Sequence, residues 1–236
     1  MFRFLLPRSA RLASLVLTTS KTSAIDLENI LGVNPNRIRI TPLGIQQENS
    51  EPSSQKIDPY ILYVGRIDPR KNLTILVEAF TILRKRDEIR CKLVIAGKSY
   101  FAESRLYTTI ERSEFRNDIE LAGFIPDSEL ATLYRNAAAF VYPSAWEGFG
   151  LPPLEAMASG TPVIVSDLPV FRETLADAAM IIPSDPQKIA DAVHLLLTNE
   201  KERAKLIQRG LQRAKEFRWE NTASATLAAY REVKAG

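Results

Sequence analysis

Cysteine occurs once in this sequence, as Cys91, and histidine once, as His194. A single thiol cannot close an internal disulfide, and one thiol with one imidazole cannot assemble a zinc site. Cys91 opens an apolar segment, where a buried inert thiol and a reduced cytoplasmic one fit equally well. His194 falls on an amphipathic helical stretch, where a lone histidine packs or faces solvent. No Asp-x-Asp pair is present to hold magnesium, so no metal and no other cofactor is expected. Apolar runs fall short of the length needed to cross a bilayer, and no internal repeat is present. Lysine-rich runs and interleaved aromatic patches are missing too, and a formal charge of +3 with a pI near 9.0 does not argue for nucleic acid. What remains is globular: 236 residues, 45% hydrophobic and 25% charged, with room for one large or two smaller domains.

The first 25 residues carry Arg3, Arg8, Arg11 and Lys21 and no acid before Asp26, as a transit peptide would. Residues 14–20 nevertheless read as a short strand, followed by a helix through Asp26 that ends at Gly32. A strand over 37–41 and a turn at Pro42 to Gly44 lead to the polar stretch 46–58, which reads as a linker. From Pro59 onward the pattern is regular. Apolar runs at 60–65, 92–97 and 119–123 are each closed by a glycine, Gly65, Gly97 and Gly123. Further strands are expected at 138–142, 162–166 and 179–182, and helices at 186–197, 201–216 and 219–234. Short apolar runs alternating with helix-length segments predict an α/β fold, a doubly wound parallel sheet. Such sheets bind ligands outside the carboxyl ends of their strands.

Two stretches carry chemistry. Glu147-Gly148-Phe149-Gly150-Leu151-Pro-Pro-Leu-Glu155 reads as a strand-to-helix turn. Its glycines let backbone approach a ligand, and its N–H groups at the helix start suit phosphate. Glu147 at the strand end and Glu155 in the first helical turn can both reach one crevice and accept from vicinal hydroxyls. A tight turn with a solvated Glu147 and a dipole-complementing Glu155 accounts for the same residues. Gly65-Arg66-Ile-Asp68-Pro-Arg-Lys71-Asn72 follows the first glycine-closed strand. Arg66 and Lys71 there can neutralise a diphosphate and stabilise charge building on it, with Asp68 or Asn72 capping the next helix. A solvated loop is the plain alternative.

Glu-Gly-Phe-Gly-Leu-Pro running into Glu-Ala-Met-Ala-Ser-Gly-Thr-Pro-Val-Ile, together with Gly-Arg followed by Lys-Asn, resembles the retaining glycosyltransferases of family four, which have the GT-B fold. The resemblance covers roughly residues 10–235. It implies transfer of a sugar from a GDP-mannose or UDP-hexose type donor to an acceptor hydroxyl with retention, in glycan or polysaccharide synthesis. The catalytic residues it implies are Glu147, Arg66 and Lys71. Arg66 and Lys71 lie on the donor diphosphate, Glu147 on the transferred sugar, Glu155 on the ribose, and the backbone from Gly148 to Leu151 against phosphate and sugar. Gly65 and Gly97 line the crevice. The base lies near Gly123, Phe124 and Ile125, with Phe124 expected in the core. The resemblance also implies residues 1–45 as a remnant of an acceptor domain, 59–216 as the donor-binding domain and 217–236 as a helix crossing between them. Partners are then a nucleotide sugar and a glycan or lipid-linked acceptor, in the cytoplasm or at the inner membrane face. A separate first-domain chain or self-association stays open. So do a donor-binding subunit without its own activity, a nucleotide-sugar epimerase and a phosphorylase.

Overall fold

The structure is a computed structural model that describes residues 2–46, 59–86, 89–99 and 104–235. All of the expected linker except Gln46 lies outside the described residues. The described chain builds two parallel sheets, one of two strands and one of six.

The small sheet pairs β1 (Val16–Thr18) with β2 (Ile38–Ile40), Val16 opposite Ile38. Between them runs α2 (Lys21–Leu31), whose start is set by Ser20, accepting the Ser23 N–H on its side chain. Its end is set by Gly32, which adopts φ +64 as the left-handed cap. The helix α1 (Phe2–Leu12) precedes this unit with Pro7 inside it, an element that the helix-breaking proline hides from pattern reading.

The large sheet has the order β5-β4-β3-β6-β7-β8. Its members are β3 (Tyr60–Val64), β4 (Lys92–Ala96), β5 (Ile119–Gly123), β6 (Ala139–Tyr142), β7 (Val163–Ser166) and β8 (Met180–Ile182). All pairings are parallel. Strands β3, β4, β6 and β7 are buried along nearly their whole length, because helices cover both faces of a parallel sheet. Their residues therefore read as unbroken apolar runs. Leu62, Leu93, Ile95 and Phe140 are fully buried among them, each contributing about 1.5–3 kcal/mol of hydrophobic stabilisation.

The helix α3 (Leu73–Arg84) packs against α4 (Ser104–Arg112) and α8 (Pro186–Thr198). On the other side α6 (Leu151–Ala158) packs against α5 (Asp127–Asn136) and α9 (Glu200–Ala214), while the short α7 (Pro169–Thr174) meets α2 of the small-sheet unit. Among the described residues no helix is long and apolar enough to cross a membrane.

The last helix, α10 (Trp219–Ala235), returns to the small sheet. Arg39 there pairs with Glu232, and Thr222 Oγ1 donates to the Pro42 carbonyl at 2.6 Å. Gly44 lies against the start of α10, and a Cβ placed on it would sit 2.3 Å from the Trp219 nitrogen. Backbone on both sides leaves nothing to give way. Gly44→Ala is expected to destabilise the protein by about 2–4 kcal/mol and to expose residues 217–236 to protease. Urea unfolding and limited proteolysis check this, and an unchanged midpoint would show that α10 docks by other contacts.

Candidate functional site

The strands β3 and β6 are neighbours at the centre of the sheet, and the chain winds away from them in opposite directions. A crevice opens at such a reversal, beyond the carboxyl ends of the strands. Gly65, Gly97 and Gly123 stand at those ends. The Gly65 N–H donates to the Ala96 carbonyl at 2.9 Å and the Gly97 N–H to the Gly123 carbonyl at 2.6 Å. Gly97 has φ +143, and a Cβ on it would fall 1.8 Å from the Gly65 carbonyl oxygen. Two loops thus touch backbone to backbone and form the floor of a cleft of about 340 Å³, lined by Gly65, Arg66, Gly97, Phe124 and Ile125 among others. Phe124 is 61% exposed, not a core residue as expected. Gly123, at φ +67, turns the chain off the edge strand, and the ring stands at the rim with Lys98 Nζ 4.6 Å from its centre.

The cationic loop is held rigidly. Asp68 is 3% exposed and caps the 3-10 turn Pro69–Lys71, accepting the Arg70 N–H at 3.0 Å. Asn72 takes the left-handed conformation at φ +53 and leads into α3 without a side-chain cap. The Ala145 N–H donates to the Arg70 carbonyl at 2.7 Å, which ties this loop to the one following β6. Lys71 therefore points at Glu147 and forms an ion pair with it, each side chain only 13% exposed. Lys71 Nζ also donates to the Tyr142 hydroxyl at 2.9 Å. The Tyr142 ring stacks on Tyr63 at 5.4 Å, and the Tyr63 hydroxyl donates to the Arg66 carbonyl at 2.9 Å. Arg66 and Lys71 are thus fastened through one aromatic pair, with Arg66 on the exposed side of the cleft.

The glycine turn works differently from its sequence reading. The Gly148 carbonyl accepts from Ser20 Oγ at 2.8 Å, Ser23 Oγ at 3.1 Å and Thr19 Oγ1 at 3.3 Å, which fastens it to the small-sheet unit. The Phe149 ring is buried edge-on against Phe217 at 5.7 Å, and its carbonyl accepts from Thr174 Oγ1 at 3.2 Å. Gly150 has φ +96, and a Cβ on it would meet the Phe171 ring at 2.7 Å, so packing as well as ligand approach requires glycine here. Because a trans peptide sets C=O and N–H on opposite sides, the amides of Phe149 and Gly150 point away from those anchored carbonyls. Among the described residues no protein acceptor receives the N–H of Phe149, Gly150 or Leu151. The helix start itself contributes little: Pro152 and Pro153 follow Leu151 in α6 and have no N–H. The open amides are therefore those of the loop residues Phe149 and Gly150 and of Leu151, the first residue of α6.

Glu155 is the fifth residue of α6 and so lies in its second turn, not the first. The two carboxylates are engaged separately. Glu147 faces Lys71, whereas Glu155 Oε2 accepts from the Tyr134 hydroxyl at 2.9 Å. Burial pushes the Glu155 carboxyl above its ordinary value; the Tyr134 hydrogen bond opposes that rise and the nearby Asp127 charge adds to it. Glu155 lines a cleft of about 180 Å³ with Asp127, Leu130 and Tyr134. Asp127 and Leu130 also line the 340 Å³ cleft, so the two clefts adjoin at the start of α5. Pattern reading missed Tyr134 because a tyrosine on an amphipathic helix next to a core strand looks like core. Cys91 is buried and its thiol pushed up to about 11, an inert packing residue.

The profile of the glycosyl transferases group 1 matches residues 45–213. The O-antigen chain mannosyltransferase B of Escherichia coli is 33% identical over 231 residues, 93% of this chain and 61% of that protein. The O-antigen chain mannosyltransferase RfbU of Salmonella typhimurium is 33% identical over 187 residues, 79% of this chain and 52% of that one. Among solved structures, sucrose-phosphate synthase from Thermosynechococcus elongatus superposes with a TM-score of 0.85 at 26% identity, covering 98% of this chain and 61% of that one. The chain thus spans between half and two thirds of the length of these proteins.

Proposed function

The chain belongs to the glycosyl transferases group 1, and from that premise we propose that it binds a nucleotide-diphosphate sugar and serves retaining sugar transfer to an acceptor hydroxyl in glycan synthesis. One observation carries this reading. Arg66, the Lys71–Glu147 pair and the three open amides from Phe149 to Leu151 lie at the carboxyl ends of β3 and β6, beside a cleft that shares Asp127 and Leu130 with the one lined by Glu155. Cations and amides suit a diphosphate, and a buried carboxylate suits ribose hydroxyls. The mannosyltransferase names of the relatives support a mannosyl donor, of the GDP-mannose type.

In this reading the diphosphate takes up the Lys71 ammonium and the Arg66 guanidinium, and Glu147 turns its released acceptor oxygens to the hydroxyls of the sugar. Transfer breaks the bond between the anomeric carbon and the phosphate oxygen. The acceptor oxygen bonds to the same face of that carbon, and its proton passes to the departing diphosphate. Glu147, with its oxygens then engaged by the sugar hydroxyls, is not free to act as a covalent nucleophile, which favours this front-face course. The Arg66 and Lys71 charges stabilise the leaving group, as a metal does in other phosphoryl chemistry. The acceptor side lies toward α1 and the small-sheet unit, where Leu5, Leu6 and Leu12 of the former and Ile40 of the latter are exposed. A further acceptor-binding unit, in this chain or another, fits such a surface.

Thermal unfolding against GDP-mannose, UDP-glucose and ADP-glucose tests the proposal. One of the three is expected to add about 2.7 kcal/mol of stability at a hundredfold its Kd. No stabilisation by any activated sugar or its diphosphate would reject the reading.

A further inference from the structure

Tyr134 has no part in the roles assigned above, and it is 2% exposed. Its side chain is fixed from several directions. The ring packs edge-on against Phe140 at 5.5 Å, and its own carbonyl accepts from the buried Thr161 Oγ1 at 2.5 Å. The neighbouring Leu133 carbonyl accepts from the Tyr60 hydroxyl at 2.6 Å, which pins the end of α5 to the first strand of the large sheet. The phenolic hydroxyl is thereby delivered to one acceptor, Glu155 Oε2, at 2.9 Å. Glu155 itself lines the cleft that also contains Leu130 and Ser159, and its Oε1 is the oxygen that the Tyr134 hydrogen bond does not occupy.

We propose that Tyr134 is a positioning residue of the nucleotide site, holding the Glu155 carboxylate in one rotamer so that Oε1 accepts the two ribose hydroxyls of the donor. This rests on the nucleotide-sugar reading given above. The chemistry is direct. A glutamate on a helix has three rotatable bonds, and a fixed donor at one oxygen removes most of that freedom before ligand arrives. Burial keeps the Tyr134 hydroxyl protonated, well above the ordinary phenol range, so it is a permanent donor. A donor to the carboxylate favours the charged form, and here it opposes both burial and Asp127. Asp127 and Tyr134, both from α5, are the titratable groups that line the cleft with Glu155.

The ionised carboxylate can accept from both hydroxyls, so ribonucleotide affinity is lost as pH falls through the folded-state pKa of Glu155. Removing the Tyr134 hydroxyl raises that pKa further, and the loss then begins at a higher pH.

The test titrates GDP and UDP, each with its 2′,3′-dideoxy counterpart, into the wild type and into Tyr134→Phe across pH 4.5 to 8. For whichever base binds, the wild type is expected to prefer the ribose form. Tyr134→Phe is expected to lose about tenfold in affinity for the ribose form alone, and its pH midpoint should move up. Replacing Tyr134 with 3-fluorotyrosine keeps the fold and makes a stronger donor, and should move the midpoint down. Equal weakening of ribose and dideoxy forms with an unmoved midpoint would mean that Tyr134 only packs, and would overturn the proposal. A wild type that binds both forms equally would overturn the underlying assignment of Glu155 instead.

Discussion

Lys71→Ala is expected to weaken binding of a nucleoside diphosphate by roughly ten- to hundredfold while leaving the nucleoside unaffected, as loss of a charge-assisted hydrogen bond requires. Glu147→Gln should act in the opposite direction on the same ligand. In the folded protein Lys71 is neutralised by Glu147 and both are largely out of water, so an incoming diphosphate competes with the carboxylate for the ammonium. Taking the negative charge away frees Lys71 and removes a repulsion, and affinity for the bare diphosphate should rise about three- to tenfold, the size of a partly screened charge interaction. The sugar conjugate should lose the advantage it has over the bare diphosphate, because a neutral amide accepts less well from sugar hydroxyls than the carboxylate does. Turnover should fall by at least about a hundredfold, as for removal of one group that acts on charge developing in the transition state. Calorimetry with diphosphate, nucleoside and sugar nucleotide separates these effects. If both substitutions weakened all three ligands together, the pair would be a structural ion pair and nothing more.

Gly97→Ala carries the largest expected effect on stability. The residue sits at φ +143, and the added Cβ would fall 1.8 Å from the Gly65 carbonyl oxygen, a backbone atom that the hydrogen bond from Gly65 N–H to Ala96 holds in place. Neither the strain nor the overlap can be relieved without separating the carboxyl ends of β3 and β4. A loss of about 4 kcal/mol or more is expected, enough to leave a domain of ordinary stability marginally folded. Gly123→Ala is the matched control, because a Cβ there meets nothing within 4 Å. It should cost only the roughly 1–2 kcal/mol of a left-handed conformation. Equal denaturation midpoints for the two variants would show that the loop contact is not a fixed part of the fold.

The large sheet was legible in the sequence because its inner strands are buried on both faces, which turns each into a short apolar run closed by glycine. The cationic loop was legible for a related reason: Asp68 and Pro69 announce a capped turn, and Arg66 and Lys71 flank it. Other features depend on partners far away in the chain. Nothing local in Gly148 indicates that its carbonyl is taken by Ser20, 128 residues earlier. Gly150 looked free for a ligand until Phe171 was placed beneath it. Phe124 looked like core because an aromatic after a strand usually is, yet β5 is an edge strand and the chain leaves it toward solvent. Tyr134 needed the side-chain geometry of two helices before its hydroxyl had a meaning.

The proposed function requires a nucleoside diphosphate to bind at the carboxyl ends of β3, β4 and β6. A chemical-shift map of the ¹⁵N-labelled wild type with the diphosphate that binds examines this without any intermediate step. The amides of Gly65, Gly97, Ile125 and Phe149 to Leu151 are expected to shift in the saturable phase, with Glu155 and its neighbours following. A larger cleft, about 580 Å³, lies near the amino end of the sheet between Arg86, Arg90, His194 and Leu197. Shifts centred there, with the glycine turns unmoved, would contradict the assignment of the site.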